Sequence, residues 1–296
     1  MRTFQVKTLA LLFFSIFWLS PVEAQTWPRR VLITNDSTID EPRLHALADA
    51  FATVSETVVV VPTAAAGISD ASLEGRREGR TLEVRKGFSG RHLTVFMVEG
   101  SPADCIDIAL GGIMREAPPD LVIAGIGERP GLGEDWLWSP VVGAARLAAY
   151  WGFPAISIAG IPSDDADTMA AVTDWIVDLS QSSLPQRLEP GQYLTVTVPD
   201  VPATEIGGIR ISRRSPVLRP PLYRKVWTDT PESRDVWLRE KAPQAAGESS
   251  GTDVAAYRLH FIVVVPMRVD EHDYPLMEWL REAPEELPPW PSDWNP

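Results

Sequence analysis

Short apolar runs alternate along this chain with longer stretches whose apolar residues recur at helical spacing. Residues 30–34 (Arg-Val-Leu-Ile-Thr) form a β-branched run that ends in polar Asn35-Asp36-Ser37-Thr38, which predicts a buried first strand. After Pro42, Leu44, Leu47, Ala48 and Phe51 recur with the period of a helix, and 57–61 (Thr-Val-Val-Val-Val) is a second buried strand stopped by Pro62. Strand, helix and strand within about 30 residues read as a βαβ unit, hence parallel strands with helices on their faces. Residues 81–85 and 92–98 alternate as a hairpin around Gly87 and Gly90. Ser101-Pro102 opens a helix carrying Cys105, Ile106, Ile108, Ala109 and Ile113, and 120–124 is a strand running into Gly125-Ile126-Gly127. Helices over 141–151 and 168–179 and strands over 155–158 and 193–198 complete the pattern. No internal repeat is visible.

Past Pro199 the pattern changes. Prolines and charges dominate 215–251, with short β-like pieces such as 261–265, which predicts a partly extended appendage over about 200–283 suited to oligomer contacts. The tail, 284–296, is rich in proline and acids and is expected to be poorly ordered. The fold class expected is α/β: a Rossmann-like three-layer sandwich with a mostly parallel sheet and this C-terminal β-rich appendage.

The first 24 residues read as a leader rather than as fold. Arg2 and Lys7 precede an apolar run over 9–20, and Val22-Glu23-Ala24 has the small-x-small pattern of a cleavage site. A run of about 12 apolar residues is too short for a bilayer, which takes about 20. A signal peptide cleaved near Ala24 is therefore expected, with a periplasmic or secreted product and no membrane association after cleavage. The alternative is an uncleaved anchor. Losing Arg2, Lys7 and Glu23 would take the formal charge from −13 to −14. So acidic a chain lacks the basic surface that binds nucleic-acid polymers, though a small phosphorylated ligand stays open. Cys105, the single cysteine, excludes an internal disulfide and reads as a small buried apolar residue.

In an open parallel sheet, ligands bind beyond the carboxyl ends of the strands. Three loops leave such ends, over 35–40, 62–70 and 125–139. The first offers Asn35, Asp36, Ser37 and Asp40; its carboxylates suit a hard cation, while an N-cap or Asx turn before Pro42 would use Asp40 equally well. The third is glycine-dense and could cradle phosphate on backbone amides of Gly131 and Gly133, or be simply a turn. Its spacing is not G-x-G-x-x-G, because Pro130 stands where the third glycine belongs. Ser139 is placed as an N-cap and, with it, as part of an anion site. His45 reads as a surface or packing residue, and His92, His260 and His272 share no ligand spacing. The absence of G-x-S-x-G, HExxH and CxxC leaves serine-hydrolase and zinc readings unsupported.

Several segments resemble one family. Glu99-Gly100-Ser101-Pro102-Ala103-Asp104-Cys105 is similar to the E-G-T-P-A-D-C segment of the SurE family, and 119–126 resembles its P-D-L-V-V-S-G-I strand. Residues 142–146, 152–156, 208–213, 251–256 and 266–268 follow in the same order, so the resemblance spans about 30–281. It implies a Rossmann-like fold, a divalent metal (Mg²⁺ or Mn²⁺), hydrolysis of phosphate monoesters such as 5′- and 3′-nucleotides, and homodimers or tetramers. It also implies a ligand set of two aspartates, a serine and an asparagine. Carried over, the first aspartate is Asp36 and the second is Ser37; Ala66 stands at the serine, and Gly127 at the asparagine. The asparagine of P-N-L-G is Gly131, and Y-S-G-T keeps only Ser139. Asp36 and Ser139 are the catalytic candidates, Asp36 and Ser37 the metal candidates, and Asn35, Gly131, Gly133 and Ser139 the phosphate pocket. With one carboxylate in place of two, the site is expected to bind Mg²⁺ weakly. Two functions follow: an atypical phosphatase, weak or recruiting Glu128, Glu134 or Asp135, or a non-catalytic ligand-binding or scaffolding protein. In the second, Trp136, Trp138, Tyr150 and Trp151 could stack a ligand, or simply pack in the core.

Overall fold

Hydrogen bonding joins nine of the strands of the computed structural model into one sheet. The structure describes residues 27–64, 82–161, 165–217, 222–226, 236–240, 249–270 and 274–283; the leader, Ala66 and the 284–296 tail lie outside them. The strands are β1 (Arg30–Thr34), β2 (Glu56–Pro62), β3 (Val84–Ser89), β4 (Leu93–Val98), β5 (Leu121–Gly127) and β6 (Ala155–Ala159). β7 (Gln192–Thr197), β8 (Ile209–Ile211), β9 (Leu222–Val226), β10 (Val236–Glu240) and β11 (Ile262–Arg268) follow. The sheet order is β3-β4-β2-β1-β5-β6-β7-β11-β8, and β9 and β10 pair separately as an antiparallel ribbon. Only the β3–β4 and β7–β11 pairs of the large sheet are antiparallel. From β1 the chain moves outward to β2 and β4, then returns to lay β5 on the other side of β1. That reversal is the topological switch point.

Alternation along the central strands supplies both core faces, making three layers. Val31, Ile33, Val59, Val61, Leu121, Ile123, Ile156 and Ile158 face one side. There they meet α1 (Pro42–Ala52), through Leu44, Leu47 and Phe51, and α4 (Ala166–Gln181), through Met169, Val172 and Ile176. The opposite face carries smaller residues, Ala124, Ala155 and Ala159 among them. It packs against α2 (Pro102–Ile108), and against Ala144, Ala145, Ala148 and Ala149 of α3 (Pro140–Tyr150). Alanine on alanine lets α3 lie close on the sheet. The remaining helices are α5 (Ser183–Gln186), α6 (Asp253–Arg258) and α7 (Tyr274–Glu282), and none of the described helices is long and apolar enough to cross a membrane.

The segment with the closest letter-for-letter resemblance proves to be a helix start. Ser101 Oγ accepts the Asp104 N–H at 3.1 Å, and Asp104 Oδ2 accepts the Ser101 N–H at 2.9 Å, a reciprocal capping box on α2. Gly100 is needed beside it, because a Cβ there would stand 2.9 Å from that of Asp104. Cys105 is buried, and its surroundings push the thiol pKa well up, as expected of an apolar packing residue.

Three expectations change. Gly87 lies inside β3 rather than at the hairpin turn; the register shifts between Lys86 and Ser89, so the glycine marks a bulge. The expected appendage divides: β8 and β11 join the main sheet, and only β9 and β10 pair outside it. Local pattern cannot show which sheet a short apolar run enters. The α1 cap is Glu41, not Asp40, which is exposed.

Gly160 follows β6 at φ 101°, with the Val198 carbonyl against the place a Cβ would occupy, and its N–H donates to the Gly127 carbonyl at 2.9 Å. Gly160→Ala is expected to cost about 2–4 kcal/mol, since both conformation and space are denied. Gly111→Ala, which meets nothing within 4 Å, should leave stability unchanged or slightly higher. Urea midpoints of the two variants make the check; equal midpoints would contradict it.

Candidate functional site

The loops after β1 and β5 leave the switch point side by side. Asn35 follows β1 and is fully buried; its side-chain oxygen accepts the Asp36 N–H at 2.5 Å, and its Nδ2 has no acceptor among the described residues. A buried amide hydrogen without an acceptor is costly and marks a place where a ligand oxygen would be welcome. Asp36 follows, largely buried, and burial pushes its carboxyl pKa up to about 6. Its own backbone hydrogen bond and the Arg43 cation pull the other way; Glu41 and Glu128 add to the rise. Arg43 is itself taken up by Glu41, whose Oε1 it meets at 2.6 Å. Burial raises the Glu41 pKa, but the hydrogen bond and charge of Arg43 outweigh this and hold it below the usual range. The nearby Ser37 side chain also helps hold the Glu41 carboxyl low.

β5 delivers Gly127 to the other side of Asp36. A Cβ on Gly127 would stand 3.3 Å from Asp36 Oδ2 and 3.1 Å from Val141 Cγ2, in the first turn of α3. Ser139 caps α3, its Oγ accepting the Val142 N–H at 3.4 Å as the sequence predicts. A Cβ on Gly131 would lie 3.6 Å from Ser139 Oγ and 3.4 Å from Val142 Cγ2. Asp36 and Val141 thus meet at Gly127, and Ser139 and Val142 at Gly131, around the α3 N-terminus and beyond the ends of β1 and β5, where an open parallel sheet leaves its crevice. Electropositive helix N-termini with free amides suit anions, and a buried amide and a carboxylate of raised pKa beside one suit a phosphorylated ligand.

Other candidates are placed elsewhere. Gly133 lies behind the loop, at φ 54°, with its N–H donated to Asp253 Oδ2 at 2.9 Å, so it faces the C-terminal segments rather than a phosphate. Glu128 and Asp135 are exposed, and Glu134 lies in the 3₁₀ turn Gly133–Trp138. No group of three His, Cys, Asp or Glu among the described residues could share a metal ion. The four aromatics do not cluster: Trp136 joins the α3-side core, Trp138 is exposed before α3, and Tyr150 and Trp151 stack edge-on at its far end. The length of α3, about 16 Å, separates Trp138 from Tyr150 and Trp151. His45 is exposed, with a ring nitrogen 2.5 Å from the Ile39 carbonyl. Two residues without a predicted role do hold the site's loop: Arg214 and Asp253. Asp253 contacts Gly133 across 120 positions, which no local pattern reveals; the sign in the sequence is the family-like segment 251–256 in which it lies.

The raised Asp36 pKa has a stability consequence. Between about pH 4 and 6 the folded state holds a proton on Asp36 that the unfolded state has released, so the contribution of this one group is greatest in acid and is lost as pH rises through about 6. Asp36→Asn should therefore flatten the profile and stabilise the protein above about pH 7 by up to roughly 3 kcal/mol. Denaturant melts from pH 4 to 8 in chelator measure this; an unchanged slope would count against it.

Comparison with known proteins identifies the fold and the family. The family profile described as "Survival protein SurE" matches residues 31–217, which include β1, β5 and α3. The 5′/3′-nucleotidase SurE of Edwardsiella ictaluri is 33% identical over 259 residues, covering 85% of this chain and 96% of the relative. The 5′-nucleotidase SurE of Heliobacterium modesticaldum is 32% identical over 261 residues, covering 85% and 92%. The crystal structure of the SurE protein from Aquifex aeolicus superposes with a TM-score of 0.70 at 25% identity, covering 86% of this chain and 99% of that one. Its sheet and its sequence agree: the chain belongs to the SurE family, whose curated members include 5′/3′-nucleotidases.

Proposed function

We propose that the crevice between β1 and β5 takes a nucleoside monophosphate, and that phosphate-ester hydrolysis there is weak or lost. Position 127 carries this reading. Any side chain at 127 begins beside Asp36 Oδ2, so a donor there would share a ligand with that carboxylate, yet the residue is glycine. Ser37 offers a neutral hydroxyl where a second carboxylate would double the charge. The described residues therefore do not fit a hard divalent cation, which needs several oxygen donors and negative charge to offset dehydration. What remains suits binding: Asn35 Nδ2 as a donor, the α3 N-terminus for the phosphate charge, and Asp36 to hold or release a proton near neutrality.

The test compares this protein with the Edwardsiella relative on 5′- and 3′-nucleotides, with Mg²⁺ or Mn²⁺ and with chelator. Turnover here is expected far below the relative's and little changed by chelator, and Ser37→Asp/Gly127→Asn should raise metal-dependent turnover about tenfold or more. Wild-type turnover equal to the relative's, abolished by Asp36→Ala, would refute the reading. A second reading, a non-catalytic binding or scaffolding role, is favoured by the unpaired Asn35 amide. Nucleotide binding with no turnover, even in the double variant, would select it.

Export to the periplasm or medium belongs to the same proposal, supported by the apolar run over 9–20 and the Ala24 pattern. So does homo-oligomer formation, supported by exposed Leu222, Tyr223, Trp237, Leu276 and Trp279 on β9, β10 and α7. Exported material should begin near Gln25 by N-terminal sequencing and exceed monomer mass by light scattering. A retained leader or a monomer would count against the corresponding part.

A further inference from the structure

We infer that Arg214 and Asp253 form a latch that sets the shape of the glycine-rich loop over 128–139, which makes Arg214 a positioning residue for the crevice. The loop leaves β5 at Gly127 and returns at Ser139, so its inner side borders the crevice through Gly131 against Ser139 and Val142. Its outer side is tied at two points. One guanidinium nitrogen of Arg214 donates to the Gly131 carbonyl and, at 3.0 Å, to Asp253 Oδ2; the other donates to Thr195 Oγ1 of β7 at 2.7 Å. Asp253, fully buried at the start of α6, accepts the Gly133 N–H at 2.9 Å on Oδ2, and the N–H groups of Ser215 and Val254, each at 2.8 Å, on Oδ1. The two residues thus bind the loop, β7, the chain after β8 and the first turn of α6 into one polar cluster.

The chemistry explains why these two residue types serve. A buried carboxylate needs both a cation and hydrogen-bond donors, and Asp253 has them only while loop and C-terminal segments stay together. The planar guanidinium reaches three acceptors in fixed directions, where a lysine ammonium would be a single point of attachment. Packing reinforces the tie. Arg214 and Arg146 of α3 each stand 5.9 Å from the Trp136 ring, in the same loop, and Gly133 is close enough to α6 that a Cβ would lie 3.3 Å from Val254 Cγ2. Loosening Arg214 would free the Gly131 carbonyl and, with it, the wall beside Ser139.

Only the ligand-binding arm of the test rests on the proposed nucleotide pocket; the latch itself does not. The experiment measures amide hydrogen exchange of wild type, Arg214→Lys and Arg214→Met, with AMP binding by calorimetry on the same samples. Arg214→Lys keeps a cation beside Asp253, so it remains informative if Arg214→Met fails to fold. Exchange across 131–138 is expected to rise about tenfold in Arg214→Lys while β1 and β5 keep wild-type protection, the change that losing one charge-assisted hydrogen bond implies. AMP affinity should fall by a similar factor at unchanged protection of β1. Unchanged exchange over 131–138, or equal acceleration throughout the sheet, would overturn the latch. So would loosened exchange with AMP affinity retained, which removes the positioning role. A wild-type protein without affinity for AMP would overturn the pocket reading instead, with local exchange still deciding the latch.

Discussion

A parallel sheet whose winding reverses has to leave an opening where the reversal occurs, and here that place is the seam between β1 and β5. The strands to either side send their connections away from each other, so the two loops that start at the seam cannot cover it. Everything of chemical interest follows from this constraint. Asn35 and Asp36 are brought there by β1, Gly127 by β5, and Ser139 by the helix that β5 feeds. Residues separated by a hundred positions become neighbours because backbone topology, not local affinity, assembles them.

Much of this could be read from the chain before the coordinates. The apolar run of β1, the valine run of β2, the helical spacing of α1 and the alanines of α3 each point to one kind of element, and the family segments arrange them in order. Asp36 was readable because a carboxylate at a buried strand's end is unusual, and Ser139 because a serine before a helix has one common duty. What could not be read depends on distance through space. Glu41 replaced Asp40 as the α1 cap because Arg43, two residues on, gave its carboxylate a second partner. β11 entered the main sheet by pairing with β7, 70 residues upstream, and no window of local hydrophobicity contains that choice.

Resemblance and chemistry also part company in an instructive way. The stretch that most resembles the family, around Ser101 and Asp104, is a helix start held by reciprocal hydrogen bonds, whereas at Gly127, beside Asp36, the resemblance implies an asparagine. Selection on folding and selection on a reaction act through different atoms. A scaffold can be kept letter for letter while its donor set is altered, since a capping box stabilises the helix whatever the crevice does.

The contact between α3 and the sheet limits how such a protein can change. Ala124, Ala155 and Ala159 share one buried cluster with the alanines of α3, so a larger residue at any of these positions would push the helix, and Ser139 at its start, away from the sheet. New ligand shapes are therefore reachable only through the connecting loops, which are free to lengthen, while the floor beneath them stays fixed. Lineages built on this framework should diversify at the rim and remain uniform below it.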